Sequence, residues 1–576
     1  MARIIELDIR NYRGIKDLSL KFGIEKSLIC LIGRGDSGKT TILDAISSVL
    51  SPSWNLSFYD TDFYKCDHVE EISIRITLID FPKKMLSENK YGLYVRAYNK
   101  SNGELHDDVA IDGMSDLLVP ALTIELIVDG TLEPKWFVVN ERDQENIKIS
   151  ATDRALLNCF MVSDYVDKHF SWNKGNPLYA LLRSIEPTGS TEKNNVVIQS
   201  LREAKKKIDE NDFSSLDEVT NRIKTEALEL GLDISGASTT LDSRDLSIKD
   251  GRISLHEELV PFRLKGKGSK RLASIAIQSV LVRDGGIMLI DEIEHGLEPD
   301  RIKQTVRSLQ QHHAGQVIIT THSRDAITEL GAEPLLFLLK GKKTDSIEVR
   351  HFSEGDEELQ KSIRACPEAF FAKKVIVCEG ATEIGICRAM DKWRRQLGKE
   401  QMSFRDCAYV DGTGNNLVSR TREISGCMDV ALFCDSDDTT VNAAKSTFDR
   451  VFDCENDMCI EEQVFKDLSW SGVTNLIDYV VNNHKNGDIQ PIKQSVSDKY
   501  LLSDQFPEDW QNSDTQEMRK AIAGAATVKK KEWFKAVHHG EALGKIIFEH
   551  FDDLDESSKL KNSLSGLSSW VDEGSE

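Results

Sequence analysis

The fold of this chain is decided by the eight residues Gly33-Arg34-Gly35-Asp36-Ser37-Gly38-Lys39-Thr40. They fit the phosphate-loop pattern GxxxxGK[ST], and they lie between a predicted strand at residues 27–32 and a helical run at 41–50. Glycines let backbone amides curl around a phosphate, and the helix N-terminus adds the positive end of its dipole. Lys39 is expected to reach the β- and γ-phosphates of ATP, and Thr40 to ligate Mg²⁺. The remaining predicted nucleotide contacts are Gly33, Gly35, Asp36, Ser37, Gly38 and Thr41.

A second segment, residues 286–292, has the form of a Walker B strand. Its apolar run at residues 287–290 delivers Asp291 to the end of a strand, where the carboxylate is able to hold the Mg²⁺ shell. Glu292 comes next in the chain and is placed to orient or deprotonate the attacking water. The alternative is a buried strand followed by solvated acidic residues. The phosphate loop upstream favours the catalytic interpretation.

Two further features indicate the ABC class of phosphate-loop proteins. The buried strand at residues 317–319 leads to His322, which resembles the switch histidine that senses the γ-phosphate. Residues 266–271 read Gly-Lys-Gly-Ser-Lys-Arg before a predicted helix, and they resemble the signature loop, in which Ser269 would cap ATP from the opposite subunit. The alternatives are a structural histidine and a basic surface turn.

Together with Arg10-Asn11-Tyr12-Arg13-Gly14 near the start, these features resemble the RecF/SMC-like branch of ABC ATPases. The resemblance implies a homo-oligomer, because ABC heads complete their ATP sites across a dimer. No clear Q-loop glutamine follows the phosphate loop, and Asp62 is the candidate in its place. This departure bears on hydrolysis rather than on ATP binding.

Length and composition bound the class of protein. A chain of 576 residues exceeds one hydrophobic core, so two or three domains are expected. The chain lacks a run of eighteen apolar residues and a signal-peptide core, so no membrane association is expected. Its 11 cysteines lack metal-type spacing and are interpreted as reduced core residues of a cytoplasmic protein. A net charge of −22 argues against coating nucleic acid with the whole surface, but it permits a nuclease with a local basic track.

The last third of the chain carries a second group of acidic residues. A predicted strand at 375–378 ends in Glu379, and Glu383 follows one helical turn later. A second predicted strand at 430–434 ends in Asp435 and Asp437, which share one side of the chain. Carboxylates delivered from two strand ends build the oxygen-rich site that Mg²⁺ or Mn²⁺ requires. The alternative is a set of solvated acids that follow strands.

The succession Glu-Gly-x-x-Glu, Gly-x-Gly, Asp-x-Asp resembles the Toprim domain of topoisomerases, primases and related nucleases. The segment at residues 458–462 looks like a further acidic element for a second metal, with Glu461 chosen and Asp457 and Glu462 left open. An ABC head followed by Toprim resembles the OLD (overcoming lysogenisation defect) family, which includes the Gabija nucleases. In that family a lysine near the C-terminus assists cleavage. Residues 529–535 hold the candidates, and Lys531 is chosen.

These features predict an α/β fold with an N-terminal ABC-type ATPase head, a helical insertion and a C-terminal Toprim α/β domain. The first part of the head covers residues 1–152 and the second part residues 231–360. The helical, highly charged segment at 153–230 is expected to be the insertion, which mediates dimerisation in the resembled family. The Toprim nuclease domain is expected at residues 365–576.

The predicted function is an ATP-regulated, metal-dependent DNA endonuclease or nickase, and the resemblance implies a role in defence against phage. The predicted cofactors are ATP and Mg²⁺, with Mn²⁺ as an alternative at the Toprim site. One alternative is a RecF/SMC-like DNA-repair ATPase in which Toprim is only a scaffold. Another is a defence effector subunit that a partner protein or RNA activates and that acts on another nucleic acid.

Overall fold

A computed structural model describes most of the chain: residues 2–24, 26–107, 117–172, 175–185, 214–241, 253–311, 315–340, 346–351, 357–426, 428–484, 487–501 and 506–573. The chain forms two compact units, Met1–Gly355 and Asp356–Glu576. No described helix has both the length and the apolar character that crossing a membrane requires. None of the described cysteines forms a disulfide, and most of them are buried.

The first unit is built mainly from strands. They are β1 (Arg3–Tyr12), β2 (Ile15–Lys21), β3 (Leu28–Ile32), β4 (Ile72–Ile79), β5 (Arg96–Asn99), β6 (Leu105–His106), β7 (Leu118–Val128), β8 (Pro134–Val139), β9 (Ile147–Lys148), β10 (Cys159–Val162), β11 (Ala237–Leu241), β12 (Ile253–Glu257), β13 (Val260–Pro261), β14 (Ile287–Ile290), β15 (Gln316–Thr320), β16 (Leu335–Lys340) and β17 (Ile347–His351). The helices are α1 (Lys39–Val49), α2 (Ala151–Arg154), α3 (Pro177–Ile185), α4 (Ser214–Glu229), α5 (Lys267–Arg283), α6 (Pro299–Gln310) and α7 (Arg324–Leu330).

The central sheet of this unit has the order β10-β14-β15-β3-β16-β17 within the described residues. All neighbouring pairs are parallel except β16 and β17. Every residue of β3, β14 and β15 is buried, as expected for strands covered on both faces. The sheet therefore brings the segments that follow β3, β14 and β15 to one edge.

An antiparallel sheet packs with it, in the order β2-β1-β4-β7-β5-β6, with β8 paired to β7 and to β9. Strands β1 and β2 form a hairpin, and the buried strand β3 follows it in the chain. Apolar residues of β1, β4 and β7 share one core with α1 and the central sheet. This core anchors the helix that carries the end of the phosphate loop.

The segment predicted as a helical insertion, residues 153–230, contains more than helices. Strand β10 within it is an edge strand of the central sheet and pairs in parallel with β14. Its apolar run of only four residues is too short to show a periodicity, which explains why the sequence pattern missed it. Helices α3 and α4 lie in the same segment, and residues 186–213 lie outside the described part of the chain.

The second unit alternates strands and helices. Its strands are β18 (Lys374–Cys378), β19 (Cys407–Asp411), β20 (Asp429–Cys434) and β21 (Val451–Asp453). Its helices are α8 (Glu357–Ala365), α9 (Ala381–Gln396), α10 (Leu417–Ser425), α11 (Thr439–Ala444), α12 (Ile460–Asp467), α13 (Trp470–His484), α14 (Gln490–Ser497), α15 (Gln516–Ala526), α16 (Val537–Glu549) and α17 (Lys559–Asp572). One core joins the sheet to α9, α12, α13, α15, α16 and α17.

The sheet of the second unit is parallel, with the order β19-β18-β20-β21 in the described part of the chain. The chain passes from β18 to β19 on one side and then returns to β20 on the other side. The strand order therefore reverses between β18 and β20. In open parallel sheets, the crevice outside the carboxyl ends at this reversal is the usual ligand site.

Candidate ATP-binding and metal sites

The phosphate loop connects the end of β3 to the start of α1 and is shaped by Gly33. This residue has φ 146°, and a Cβ there would lie 2.6 Å from the carbonyl oxygen of Leu338. Any side chain at that position would therefore displace the loop from the neighbouring strand. Lys39 folds over the loop and donates hydrogen bonds to the carbonyl oxygens of Gly33 and Arg34, both at 2.8 Å.

The other predicted loop residues surround this lysine. Ser37 is buried, with its Oγ 3.3 Å from the Lys39 Nζ, and Gly38 precedes the first turn of α1. Gly35 and Asp36 form the outer, exposed part of the loop, whereas Thr41 lies within α1. Burial lowers the pKa of Lys39 to about 8, against the opposing attraction of nearby carboxylates. An anionic polyphosphate on the loop would favour its charged form.

The proposed Mg²⁺ ligands of the first unit lie together. The Thr40 hydroxyl donates to Asp291, with both carboxylate oxygens at 3.1 Å. The hydroxyl of Thr320, at the end of β15, donates to Asp291 Oδ1 at 2.7 Å. The start of α1 and the ends of β14 and β15 therefore converge at the Asp291 carboxylate.

Glu292 follows Asp291 in a left-handed backbone conformation, with φ 49°. A non-glycine residue adopts this region only where surrounding contacts compensate its cost. Here the Glu292 amide donates to the Thr320 hydroxyl at 2.7 Å, and the side chain is left exposed. The turn thus presents the Glu292 carboxylate to solvent next to Asp291.

His322 lies at the same edge of the sheet. Its segment is hydrogen-bonded to Glu294, a residue that the sequence pattern did not identify. Glu294 accepts hydrogen bonds from the His322 amide and from the Thr321 hydroxyl, each at 2.6 Å. Burial and the neighbouring Lys39 ammonium hold the pKa of His322 below its ordinary value. The clustering of acids at Asp291, Glu292 and Glu294 was the signal that could have identified Glu294.

The segment predicted as a signature loop leads directly into α5, and Ser269 lies in its first turn. Arg271, two residues further on, is buried. Its guanidinium donates to the carbonyl oxygens of Asp291 and of Glu292, the second at 2.7 Å. The start of α5 is therefore tied to the Walker B segment of the same chain.

Asp62, the candidate for the Q-loop position, is engaged by Arg13. The Arg13 Nε lies 2.8 Å from Asp62 Oδ1, and the same guanidinium also pairs with Asp44 on α1. The other Asp62 oxygen accepts from the Tyr59 amide at 3.0 Å. Asp62 therefore links the start of the chain to the loop after α1.

The acids of the second unit lie at the point where its strand order reverses. Glu379 follows β18 and Asp435 follows β20, and ligand atoms of Glu379, Asp435 and Asp437 all lie within 4.8 Å of one another. Glu379 Oε2 accepts from the Asp435 amide at 2.9 Å. Asp435 Oδ1 accepts from the Ile460 amide at 2.7 Å. Oxygen ligands from three carboxylates suit Mg²⁺ or Mn²⁺.

Two more predicted acids are buried beside this group. Glu383 and Glu461 are each 4% exposed. Burial raises the pKa of Glu383 to about 8, and the Glu461 carboxylate adds to the shift. Burial likewise raises the pKa of Asp435 to about 9, with a further contribution from Glu383. Carboxylates that are clustered and buried repel one another unless protons or a bound cation neutralise them. The residues present therefore fit a divalent metal.

Of the predicted Glu461 and its two alternatives, Asp457 and Glu462, the structure brings Glu461 to the cluster. The Thr382 hydroxyl, on the first turn of α9, lies 3.2 Å from Glu461 Oε1. Glu462 instead accepts from the Cys459 amide at 3.2 Å and so caps its own helix. Asp457 lies in a turn before α12, where its amide donates to a main-chain oxygen.

Among the candidate lysines, Lys531 and Lys535 are both exposed, and it is Lys535 on which the carboxylates of the cluster act electrostatically. Partial burial acts to lower the pKa of Lys535, but the carboxylates of the cluster outweigh it, and the net pKa is raised. The segment that carries Lys535 is held near the acids because α16 crosses closely over α9. A Cβ on Gly540 would lie 2.6 Å from the Thr382 carbonyl oxygen, and the Phe534 oxygen lies 3.1 Å from the Thr382 hydroxyl.

Comparisons with known proteins match the first unit to two families. Residues 3–120 match the family described as "AAA ATPase domain". Residues 186–329 match the family described as "AAA domain, putative AbiEii toxin, Type IV TA system". A relative from Escherichia coli, "Retron Ec83 probable ATPase", is 24% identical over 404 residues, which cover 59% of this chain and 72% of the relative.

Similar solved structures include the SmcHead bound to the C-winged helix domain of ScpA. It is 15% identical, with a TM-score of 0.37, and the match covers 62% of this chain and 98% of that chain. The Smc head domain with an extended coiled coil from Pyrococcus furiosus is 13% identical, with a TM-score of 0.37, over 64% of this chain and 99% of that chain. The first unit of this chain is therefore similar to AAA-class ATPase domains over two separate stretches.

Proposed function

We propose that this chain is an ATP-regulated, divalent-metal-dependent DNA endonuclease or nickase, and that its second unit is a Toprim nuclease domain of the OLD-family type. The observation that supports it best is the cluster of Glu379, Asp435 and Asp437 at the strand-order reversal. An ATPase domain alone requires no such cluster in a separate unit. A phosphodiesterase does require one, because both oxygens of the displacement carry developing charge.

Each acid of the cluster has a distinct place in this proposal. Glu379, Asp435 and Asp437 would hold one cation, and the buried Glu383 and Glu461 would hold a second together with Asp435. Bound Mg²⁺ or Mn²⁺ supplies an activated water and charge stabilisation at the phosphodiester. Lys535 stays protonated at neutral pH, because its pKa is raised, and its ammonium is able to neutralise a phosphate oxygen near the metals.

In the first unit, we assign Lys39, Thr40 and Asp291 to ATP and Mg²⁺, and Glu292 to the attacking water. His322 would sense the γ-phosphate. Ser269 would cap the ATP of a second copy of the chain, so that the working form is a homo-oligomer. The nucleotide state would control access of DNA to the second unit. The predicted role in defence against phage and the dimerising role of residues 153–230 belong to this proposal.

Cleavage of a supercoiled plasmid by the full chain tests the proposal directly. We expect conversion to the nicked or linear form with added Mg²⁺ or Mn²⁺, loss of this activity with EDTA, and a change in rate when ATP is added. Lys39→Ala serves as the control for the nucleotide effect, since its metal cluster is intact. If no metal condition yields cleavage of DNA, with or without ATP, the nuclease proposal is wrong, and a DNA-binding ATPase with a scaffold domain takes its place.

Replacing Lys535 separates the two lysine assignments. We expect Lys535→Ala to lower the rate of cleavage about a hundredfold, because a preorganised charge aimed at the transition state is removed. Lys531→Ala is the matched control, since this lysine is also exposed and lies in the same segment. Its rate should stay within about threefold of the wild type, because Lys531 is expected to contribute only general attraction to DNA. Equal losses in the two variants would contradict the assignment of Lys535.

The similarity to a retron ATPase favours a second candidate, an effector subunit activated by a partner protein or RNA and acting on another nucleic acid. The same assay tests it when the products of neighbouring genes are added. Activity that is absent from the purified chain and present with a partner would support this candidate over the first.

A further inference from the structure

We infer that Ser436 and Lys445 form a positioning pair that sets the geometry of Asp435 and Asp437 for metal binding. This inference rests on the proposed metal function of the acid cluster. Ser436 lies between the two aspartates and is 2% exposed. Metal binding by the two aspartate carboxylates does not itself require a serine hydroxyl between them. Its contacts supply the reason for it.

Every polar atom of Ser436 has a partner. Its amide donates to the Met458 oxygen at 2.9 Å, and its own carbonyl oxygen accepts from the Asp457 amide at 3.2 Å. Its hydroxyl donates to the Cys454 oxygen at 2.8 Å. The side-chain amide of Asn442 also donates to the Ser436 oxygen, at 2.7 Å. The central residue of the Asp-Ser-Asp segment is thus bonded to the end of β21, to the turn before α12 and to α11.

The Ser436 hydroxyl is also the acceptor of a charged hydrogen bond. Lys445 Nζ donates to it at 2.7 Å and to Asp453 Oδ2 at 2.8 Å. The Lys445 side chain is only 14% exposed, so it is held inside the unit and is not a surface contact for DNA. Lys559 pairs with the other oxygen of Asp453 at 2.6 Å, but no contact of Lys559 with Ser436 is present in the described residues.

These contacts act on the aspartates through the backbone. Ligand atoms of Asp435 and Asp437 lie within 4.8 Å of those of Glu379, so a backbone fixed at Ser436 holds both of its neighbours on the side of Glu379. The Asp437 carboxylate is exposed, and its direction is then set by the backbone at Ser436. Residues that orient metal ligands in this way typically affect metal affinity by about ten- to a hundredfold.

The test measures Mn²⁺ binding to the full chain by electron paramagnetic resonance, without nucleotide. Asp435→Asn identifies the signal that belongs to this site. We expect Lys445→Met and Ser436→Ala each to raise the Kd for Mn²⁺ about tenfold or more, whereas the KM for plasmid DNA stays within about twofold. Lys559→Met is the matched control, because it removes the other cation from Asp453, and its Kd should stay near the wild-type value.

The outcomes separate this inference from the proposed function. Wild-type affinity for Mn²⁺ in Lys445→Met, with thermal unfolding unchanged, overturns the positioning role, as does a wild type that binds no Mn²⁺ at this site. An equal loss of affinity in Lys559→Met also overturns it, because Asp453 and not the Ser436 contact would then be responsible. A wild type that binds Mn²⁺ but cuts no nucleic acid refutes the nuclease proposal, and the Kd comparison still decides the role of the pair.

Discussion

Replacement of Asp435 by asparagine should lower metal-dependent plasmid cleavage by about a thousandfold, because a loss of several kcal/mol of charge stabilisation corresponds to about that factor. Asp435 is 5% exposed and is shared between the two groups of acids, with Glu379 and Asp437 on one side and Glu383 beside it. Asparagine keeps the size and one oxygen but removes the negative charge. Initial rates of nicking across a Mg²⁺ and Mn²⁺ titration measure the effect.

ATP binding supplies the control for this variant. The phosphate loop belongs to the other compact unit, so Asp435→Asn should bind ATP with wild-type affinity. Asp438→Asn is a matched substitution in the same loop, since the Asp438 side chain caps α11 and is not among the clustered ligands. Cleavage by Asp435→Asn at the wild-type rate, from a wild type that cuts, would rule out metal catalysis at this cluster.

Replacement of Glu292 by glutamine should slow ATP hydrolysis by about a hundredfold or more while ATP still binds. General bases contribute about 10²- to 10⁴-fold to such reactions. The hydrogen bonds of Thr40 and Thr320 to Asp291, a proposed Mg²⁺ ligand, do not involve the Glu292 side chain, so nucleotide affinity should be retained. Phosphate release gives the rate, and isothermal titration gives the affinity.

Lys39→Ala should impair ATP binding itself, whereas Glu292→Gln should impair only hydrolysis. Removal of the only loop ammonium should weaken ATP binding at least about tenfold, because a hydrogen bond to a charged phosphate contributes about 1.5–3 kcal/mol.

If Glu292→Gln turned over ATP as fast as the wild type, the catalytic role of Glu292 would have to pass to another residue. Glu294 would not be that residue, because its carboxylate is engaged by the Thr321 hydroxyl and the His322 amide.

Local patterns are sufficient wherever the chemistry depends on neighbours along the chain. The phosphate loop needs glycines, a lysine and a threonine within eight residues, so Lys39 and Thr40 are predictable from the amino-acid sequence alone. Apolar runs of buried parallel strands predict where Asp291 and Asp435 follow strand ends. Strand β10 is not predictable in this way, because a run of four residues is too short to distinguish a strand from a helix.

The sequence by itself determined that this chain has a phosphate-loop pattern, an apolar strand that ends at Asp291 and a set of acids at strand ends. Only the tertiary structure decided which residues from distant parts of the chain join them. The acids act on Lys535 because its neighbour Phe534 accepts a hydrogen bond from the Thr382 hydroxyl, and because α16 crosses closely over α9, more than 140 residues away in the chain. Glu461, Glu294 and Ser436 depend in the same way on which backbone amides and hydroxyls the packed strands and helices bring within hydrogen-bonding distance. Periodicity along a chain carries no information about such contacts, because they arise when separate elements bury their apolar faces against each other.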